Sequence, residues 1–143
     1  MPMRDKDERL LDLLRANARE PAASLARKLG VARSTLQERI ARLEHEGTIK
    51  GYTVLLSEAA AARNFRAVVM MEIDARHADG VTAELRKLSE VRSLRAVSGV
   101  YDMMAVVETD TASRMDGVLD RIGKMSGVAR TVSSIILSEK FSR

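Results

Sequence analysis

The spacing of apolar residues changes character about a third of the way along the chain. Up to Gly47, leucine and alanine recur every three or four positions, which is typical of amphipathic helices. We predict a first helix from near Asp5 to near Asn17. A second follows Pro21 and ends at Gly30, because proline suits a first helical turn and glycine suits a helix end with positive φ. A third helix ends near Gly47.

Residues 48–64 are predicted to form a linker, because the helical spacing of apolar residues does not continue through them and no regular strand alternation replaces it. The stretch TIKGYTVLL indicates a short extended arm. The alanine-rich stretch SEAAAAR is consistent with one or two helical turns.

The remaining chain alternates between strand and helix patterns. Strands are predicted at 65–74, 92–98, 103–109 and 130–141. Apolar residues at helical spacing mark two helices between them, one through Val81, Leu85, Leu88 and Val91 and the other through Met115, Val118, Leu119, Ile122 and Met125. The order βαββαβ predicts a ferredoxin-like fold.

The predicted fold class is therefore α+β with two domains. Residues 1–47 form a three-helix, winged-type helix-turn-helix domain, and 48–64 form a strand or linker. Residues 65–143 form a ferredoxin-like domain.

The first predicted strand has apolar residues on both of its faces. Ala67, Val69 and Met71 alternate with Val68 and Met70. Two helices cover only one face of such a sheet, and an exposed apolar face of several hundred Å² is typical of an association surface. The sequence therefore predicts a homodimer in which sheet packs on sheet.

The spacing of Ala26, Gly30 and Leu36 fits a helix-turn-helix. A small residue allows close helix packing, glycine permits the tight turn, and the apolar residue anchors the following helix. The segment RSTLQERIAR then begins the recognition helix, whose N-terminal residues face the major groove of double-stranded DNA.

The charge pattern agrees with this interpretation. The net charge is +4. Between Arg19 and Arg42 the acidic residues Glu20 and Glu38 are outnumbered by Arg19, Arg27, Lys28, Arg33, Arg39 and Arg42. Such a segment suits a polyanion, although a solvated helix face is the alternative that charge alone would favour.

The candidate DNA-binding residues have two roles. Arg, Gln and Glu can pair with guanine, adenine and cytosine, so base contacts are predicted for the outward residues Arg33, Ser34, Gln37 and Glu38. Phosphate contacts are predicted for Ser24, Arg27, Arg39 and Arg42. Thr35, in the first turn of the same helix, is also a candidate DNA-binding residue.

Several other classes of function find no support in the sequence. The chain has no cysteine and only two isolated histidines, so we expect no disulfide, no metal site and no cofactor. No motif combines a nucleophile, base and acid, and no glycine loop is suited to phosphate, which argues against an enzyme. No apolar run reaches membrane-spanning length, and the charged N-terminus does not suit a signal peptide, so we expect a cytoplasmic protein.

Over nearly its whole length the chain resembles the Lrp/AsnC, or feast/famine, family of regulators. The resemblance is carried by DERLLDLLRANAR, LARKLGV and LQERIARLEHEGTIKGYT, and by VSGVYD at the family's Ser-Gly-x-x-Asp turn. It implies a transcription factor whose dimers commonly assemble into octamers, act on DNA in the nucleoid, and bind an amino acid or related metabolite. Two departures are Met3-Arg4, where the family usually has Leu-Asp, and Ala32, where a capping Ser is common. Ser34 or Thr35 could partly replace that cap, or the helix could begin a residue later.

The resemblance also implies that residues 65–143 are the family's RAM domain, for effector binding and oligomerisation, with an effector site between dimers. By position, its residues are Ser98, Gly99, Val100, Tyr101, Asp102, Thr131 and Ser133. A glycine turn exposes N–H groups suited to a carboxylate, and Asp102 suits an ammonium group. The alternative is that Asp102 only orders the hairpin and Thr131 is an ordinary strand residue. An architectural DNA-binding protein without an effector is the alternative function.

Overall fold

The chain folds into two compact units, Met1–Leu55 and Leu56–Arg143. The computed structural model describes residues 5–61 and 63–141. The division between the units lies inside the predicted linker. The departure at Met3-Arg4 lies outside the described residues.

Three helices form the first unit: α1 (Asp5–Ala16), α2 (Ala22–Leu29) and α3 (Arg33–His45). Their ends lie within two residues of the predicted positions. Pro21 is the N-cap of α2 and therefore precedes its first turn. The helices share one apolar core, consisting of Leu10, Leu14, Leu25, Ala26, Leu29, Leu36 and Leu43. The leucine and alanine pattern read from the sequence is the pattern of these buried faces.

The segment after α3, predicted as a strand or linker, contains no strand within the described chain. Residues 50–56 are exposed and belong to no helix or strand of the described chain. A strand requires a neighbouring strand for its N–H and C=O groups, and within the described chain this segment pairs with none. Side chains of the arm, including Tyr52, Val54 and Leu55, are largely exposed. The alanine-rich stretch forms one helical turn, α4 (Glu58–Ala61), as predicted.

The second unit has the predicted βαββαβ order. Its elements are β1 (Phe65–Ile73), α5 (Ala78–Arg86), β2 (Val91–Ala96), β3 (Met103–Thr109), α6 (Ala112–Gly123) and β4 (Val128–Ile136), with a 3-10 turn at Ala75–His77. The sheet is antiparallel in the order β2-β3-β1-β4. The ferredoxin-like prediction is confirmed.

Two boundaries in this unit were predicted wrongly. Val91 is the first residue of β2 and does not belong to α5, which ends at Arg86. Leu88 is buried just beyond the helix, so its burial extended the apparent helical period. The last strand was predicted to run to residue 141 but ends at Ile136. Ile136 pairs with Arg66 near the start of β1, and that pair is the last of the ladder between the two strands.

The sheet has two different faces. One packs on α5 and α6 and buries Ala67, Val69 and Met71 of β1 completely. The other face, here called the open sheet face, carries no helix. Its apolar residues are Val68, Met70, Met104, Val106, Val132 and Ile136, and the polar Ser134 lies on it opposite Val68. Ion pairs border it, with 3.7 Å between Arg66 Nε and Glu108 Oε2.

Candidate DNA interface and effector site

The turn between α2 and α3 depends on the backbone freedom of Gly30. Its φ of 64° and ψ of 41° place it in the left-handed region, which costs little only for glycine. The N–H of Val31 then donates to the carbonyl of Ala26 at 3.0 Å, closing the end of α2. Leu36 and Ala26 are buried on either side of this turn. The predicted roles of all three motif positions agree with this geometry.

The recognition helix begins without a side-chain cap. Its N-cap is Ala32, in an extended conformation with no side-chain hydrogen bond. The helix starts at Arg33, so it does not begin a residue later, and neither Ser34 nor Thr35 replaces the cap. The first N–H groups of α3 consequently have no capping oxygen.

Five of the predicted contact residues cluster on the first two turns of α3. Arg33, Ser34, Thr35, Gln37 and Glu38 are all exposed. Within the described chain, none of these side chains has a hydrogen bond or ion pair. Their polar groups are therefore free to meet an external partner.

Arg39 and Arg42 occupy a different environment, because both bind Asp7 of α1. Arg39 Nη1 lies 3.2 Å from Asp7 Oδ1, and Arg42 Nη2 lies 2.8 Å from Asp7 Oδ2. Asp7 is only 2% exposed. Arg42 Nη1 also lies 3.4 Å from Glu46 Oε2. The hydrogen bond that Arg42 donates to the Asp7 carboxylate raises the pKa of the Arg42 guanidinium. A phosphate role for these two arginines stays a prediction, and each already has a carboxylate partner.

The two predicted contacts on α2, like those on α3, include a residue that is already hydrogen-bonded within the chain and one that is not. The Ser24 hydroxyl donates to Glu20, whose carboxylate also lies 2.6 Å from Lys28 Nζ. The hydrogen bond from Lys28, and then that from Ser24, lower the pKa of Glu20. Arg27 is exposed and has no ion pair among the described residues. Arg27 acts on Glu20 only through a longer-range charge attraction, the smallest of the causes that lower the pKa of Glu20, so its guanidinium has no bonded carboxylate among the described residues.

The predicted effector turn lies in the hairpin between β2 and β3. Gly99 has φ of 137°, a conformation that disfavours other residues. A Cβ built at Gly99 meets nothing within 4 Å, so backbone conformation, not crowding within this chain, requires glycine there. Ser98, Gly99 and Val100 are exposed, and Tyr101 is half-buried.

Asp102 has a clear structural role. Its Oδ2 accepts a hydrogen bond of 2.7 Å from the N–H of Ile73. Its own N–H donates to the carbonyl of Met71 at 2.9 Å. Asp102 thus ties the hairpin to the irregular end of β1, where the pairing with β4 shifts register. Within the described chain, Oδ1 has no partner, so it remains available to a ligand.

The sheet register brings the hairpin turn and Thr131 to one end of the sheet. Thr131 pairs with Met71, which pairs in turn with Met103 beside the turn. Ser133 lies on the same face of β4 but further from the turn, opposite Val69. The turn and Thr131 are therefore neighbours across β1, whereas Ser133 is more remote.

Arg130 was not among the predicted effector residues, although it borders the turn. Its guanidinium lies 5.6 Å from the centre of the Tyr101 ring, within the range of a cation–π contact. Its Nε lies 3.5 Å from Glu72 Oε2 on the neighbouring strand. Its position directly before Thr131, a predicted effector residue, was the signal in the sequence that could have identified Arg130 as part of this region.

Asp7 was also missed, although a signal was present. It stands at helical spacing before Leu10 and Leu14, on the face of α1 that the sequence assigns to the core. An acidic residue on a buried face requires a partner. Two arginines three residues apart on another amphipathic helix are suitable partners.

A helix-turn-helix with a polar outer surface, followed by a ferredoxin-like unit, defines the class of two-domain DNA-binding regulators. The AsnC-type helix-turn-helix domain model matches residues 3–44, and the Lrp/AsnC ligand binding domain model matches residues 66–143. The chain belongs to the Lrp/AsnC family. It is a DNA-binding transcription regulator with a domain for a small-molecule effector.

Similar proteins support this assignment. The chain is 29% identical to the HTH-type transcriptional regulator FL11 of Pyrococcus furiosus, over 93% of this chain and 88% of that protein. It is 30% identical to the regulator LysM of Sulfurisphaera tokodaii, over 93% and 94% of the two chains. A Neisseria meningitidis regulator solved as a complex with L-Met has the same fold, with TM-score 0.82, 24% identity and coverage of 99% and 94%. Among the described residues, no helix is long and apolar enough to span a membrane.

Proposed function

We propose that the exposed first two turns of α3 read DNA bases, with Arg33, Gln37 and Glu38 as the main contacts. The observation that carries this proposal is that these side chains are exposed and unpaired on the helix that follows the Gly30 turn. Arginine and glutamine in such positions recognise guanine and adenine. Protein bound to chromosomal DNA would act in the cytoplasm, on the nucleoid.

The test compares Arg33→Ala with Arg9→Ala, which removes an exposed arginine of α1 that also has no ion pair among the described residues. The DNA would be the best duplex selected from a random pool, with an unselected pool as reference. Arg33→Ala should cost roughly 1–3 kcal/mol on the selected duplex and relax preference at one base pair. An equal loss on both duplexes would show that Arg33 does not read bases.

For the effector, the proposal is an amino acid or related metabolite bound beside the hairpin turn. N–H groups at the turn around Gly99 suit a carboxylate, and the free Oδ1 of Asp102 suits an ammonium group. The Neisseria regulator, described as a complex with L-Met, adds support for this ligand class. Because Asp102 also holds Ile73, one carboxylate would order the turn and bind the ligand.

A thermal-shift screen over the amino acids tests this proposal. A ligand at 100 times its dissociation constant should stabilise the folded state by about 2.7 kcal/mol. Asp102→Asn is the informative variant, because the amide keeps an oxygen for the Ile73 N–H and loses the charge. It should melt like the wild type without ligand and lose the response to the best hit. Equal responses would place the site elsewhere, and a screen without hits would favour an architectural protein.

The proposed assembly is a homodimer formed through the open sheet face, with further association into an octamer as in the family. The supporting observation is six apolar residues on a sheet face without helices, bordered by ion pairs. A ligand that binds between dimers must change assembly, and assembly must change ligand affinity by the same factor. Sedimentation at micromolar concentration, with and without the best hit, measures both. A monomer under all conditions would refute the proposal.

A further inference from the structure

Asp7 is a buried carboxylate that binds two positive charges of the recognition helix. Its side chain is 3% exposed, and its two oxygens accept from Arg39 and Arg42 respectively. The two arginines lie three residues apart on α3, so both bonds fix the rotation of that helix relative to α1. Arg39 is mostly buried, whereas the Arg42 side chain is 43% exposed and could turn towards solvent if released.

These contacts reduce the positive charge available to DNA. Within the basic segment, Lys28, Arg39 and Arg42 have carboxylate partners. Arg19, Arg27 and Arg33 have none among the described residues. Asp7 therefore neutralises charge on the very helix that carries the proposed base-reading side chains.

We propose that Asp7 is a positioning residue that sets DNA specificity by holding Arg39 and Arg42 away from phosphates. Phosphate contacts attract every DNA sequence equally, whereas base contacts discriminate among sequences. Restraining Arg42 lowers the affinity for every sequence by a similar factor. The rotation of α3 that Asp7 fixes favours the correct site alone, so the two effects together raise the ratio of selected to random affinity. This inference rests on the proposed DNA interface.

The first experiment uses Asp7→Asn, with Asp12→Asn as the matched control. Asp12 is an exposed residue of α1 with no ion pair among the described residues, so the control makes the same change in net charge. Binding to the selected duplex and to the random pool is measured against salt concentration, and circular dichroism checks folding.

Releasing one guanidinium to a phosphate should steepen the log–log salt slope on random DNA by about 0.9 per bound helix-turn-helix. Over a fourfold change in salt, that slope corresponds to a further affinity change of roughly 3.5-fold. We expect Asp7→Asn to show this change, with tighter random binding at low salt and a smaller ratio of selected to random affinity. A purely structural defect would weaken binding without steepening the slope. Equal slopes for Asp7→Asn and Asp12→Asn overturn the proposal.

A second pair of variants decides the question if Asp7→Asn does not fold. Arg27→Gln should make the random-DNA slope shallower by about 0.9 per bound unit, because Arg27 has no ion pair among the described residues and only a longer-range attraction to Glu20. Arg42→Gln should lower it clearly less, because Asp7 and Glu46 already neutralise Arg42. An equal or larger fall for Arg42→Gln overturns the proposal. A wild-type chain that bound neither duplex would refute the DNA interface, and the role of Asp7 with it.

Discussion

Val68 and Val69 are adjacent residues of β1 that point to opposite faces of the sheet, so the same substitution should have opposite consequences. Val69 is 0% exposed in the core beneath the helices. Val68 is half-buried on the open sheet face and pairs with Val106. We compare Val69→Asp with Val68→Asp.

The expected magnitude follows from these two environments. Val69→Asp loses the burial of a valine, about 1.5–3 kcal/mol, and places a carboxylate in an apolar core. The effective penalty for a buried ion is several kcal/mol more. Domains are stable by only about 5–15 kcal/mol, so most or all of the stability of this unit should be lost. In a single chain, Val68→Asp leaves its carboxylate in contact with water and should cost little.

The assay combines thermal melts by circular dichroism with sedimentation velocity at micromolar concentration. Val69→Asp should lose the cooperative melt of the second unit. Val68→Asp should remain folded and sediment as a monomer, because a symmetric sheet-on-sheet dimer would bury two carboxylates near each other. Val68→Thr keeps the shape without the charge and should remain dimeric. A folded Val69→Asp variant would refute the assigned core face, and a dimeric Val68→Asp variant would place the dimer interface elsewhere.

Three further substitutions test local features of the structure. Ala32→Ser should supply the missing cap of α3 and raise the free energy of unfolding by about 1 kcal/mol in urea melts. Gly127→Ala should destabilise the second unit by on the order of 2 kcal/mol, because the new Cβ would lie 2.2 Å from His77 Cβ and φ is +94°; an unchanged melt would contradict that packing. Arg76 lowers the pKa of Asp74 from 3.8 to about 2, so this carboxylate stabilises the fold above pH 3.8 and loses its contribution as the pH falls towards 2. Asp74→Asn should therefore flatten the acid part of the stability curve, and an unchanged curve would contradict the assignment.

Much of the second unit could be predicted because its elements are strongly periodic. The alternation along β1 and the helical spacing in α6 each gave the correct element. The errors lie at Val91 and after Ile136, where an apolar residue continues a pattern after the backbone has changed conformation. An apolar residue at the expected spacing does not by itself reveal which element it belongs to.

The candidate sites were predicted less completely than the fold. Exposure of Arg33 and Gln37 follows from helical geometry once Leu36 and Ile40 are placed inward. Asp7 on the core face of α1 indicates a basic partner, but helical geometry does not identify which basic residues fill that role. The contact of Asp102 with Ile73 likewise depends on the pairing of β1 with β3, which brings residues far apart in the sequence together.

The elements, their order and the turn at Gly30 were predictable from the sequence, because they depend on local periodicity and backbone sterics. The face of β1 that lies in the core was not predictable, since both faces are apolar, and the folded chain places Val69 in the core and Val68 on the open sheet face. The tertiary structure also decided that Asp7 holds Arg39 and Arg42, which lie 32 and 35 residues away along the chain. Charged side chains select partners by distance and burial in the folded chain, and neither quantity is encoded in a local pattern.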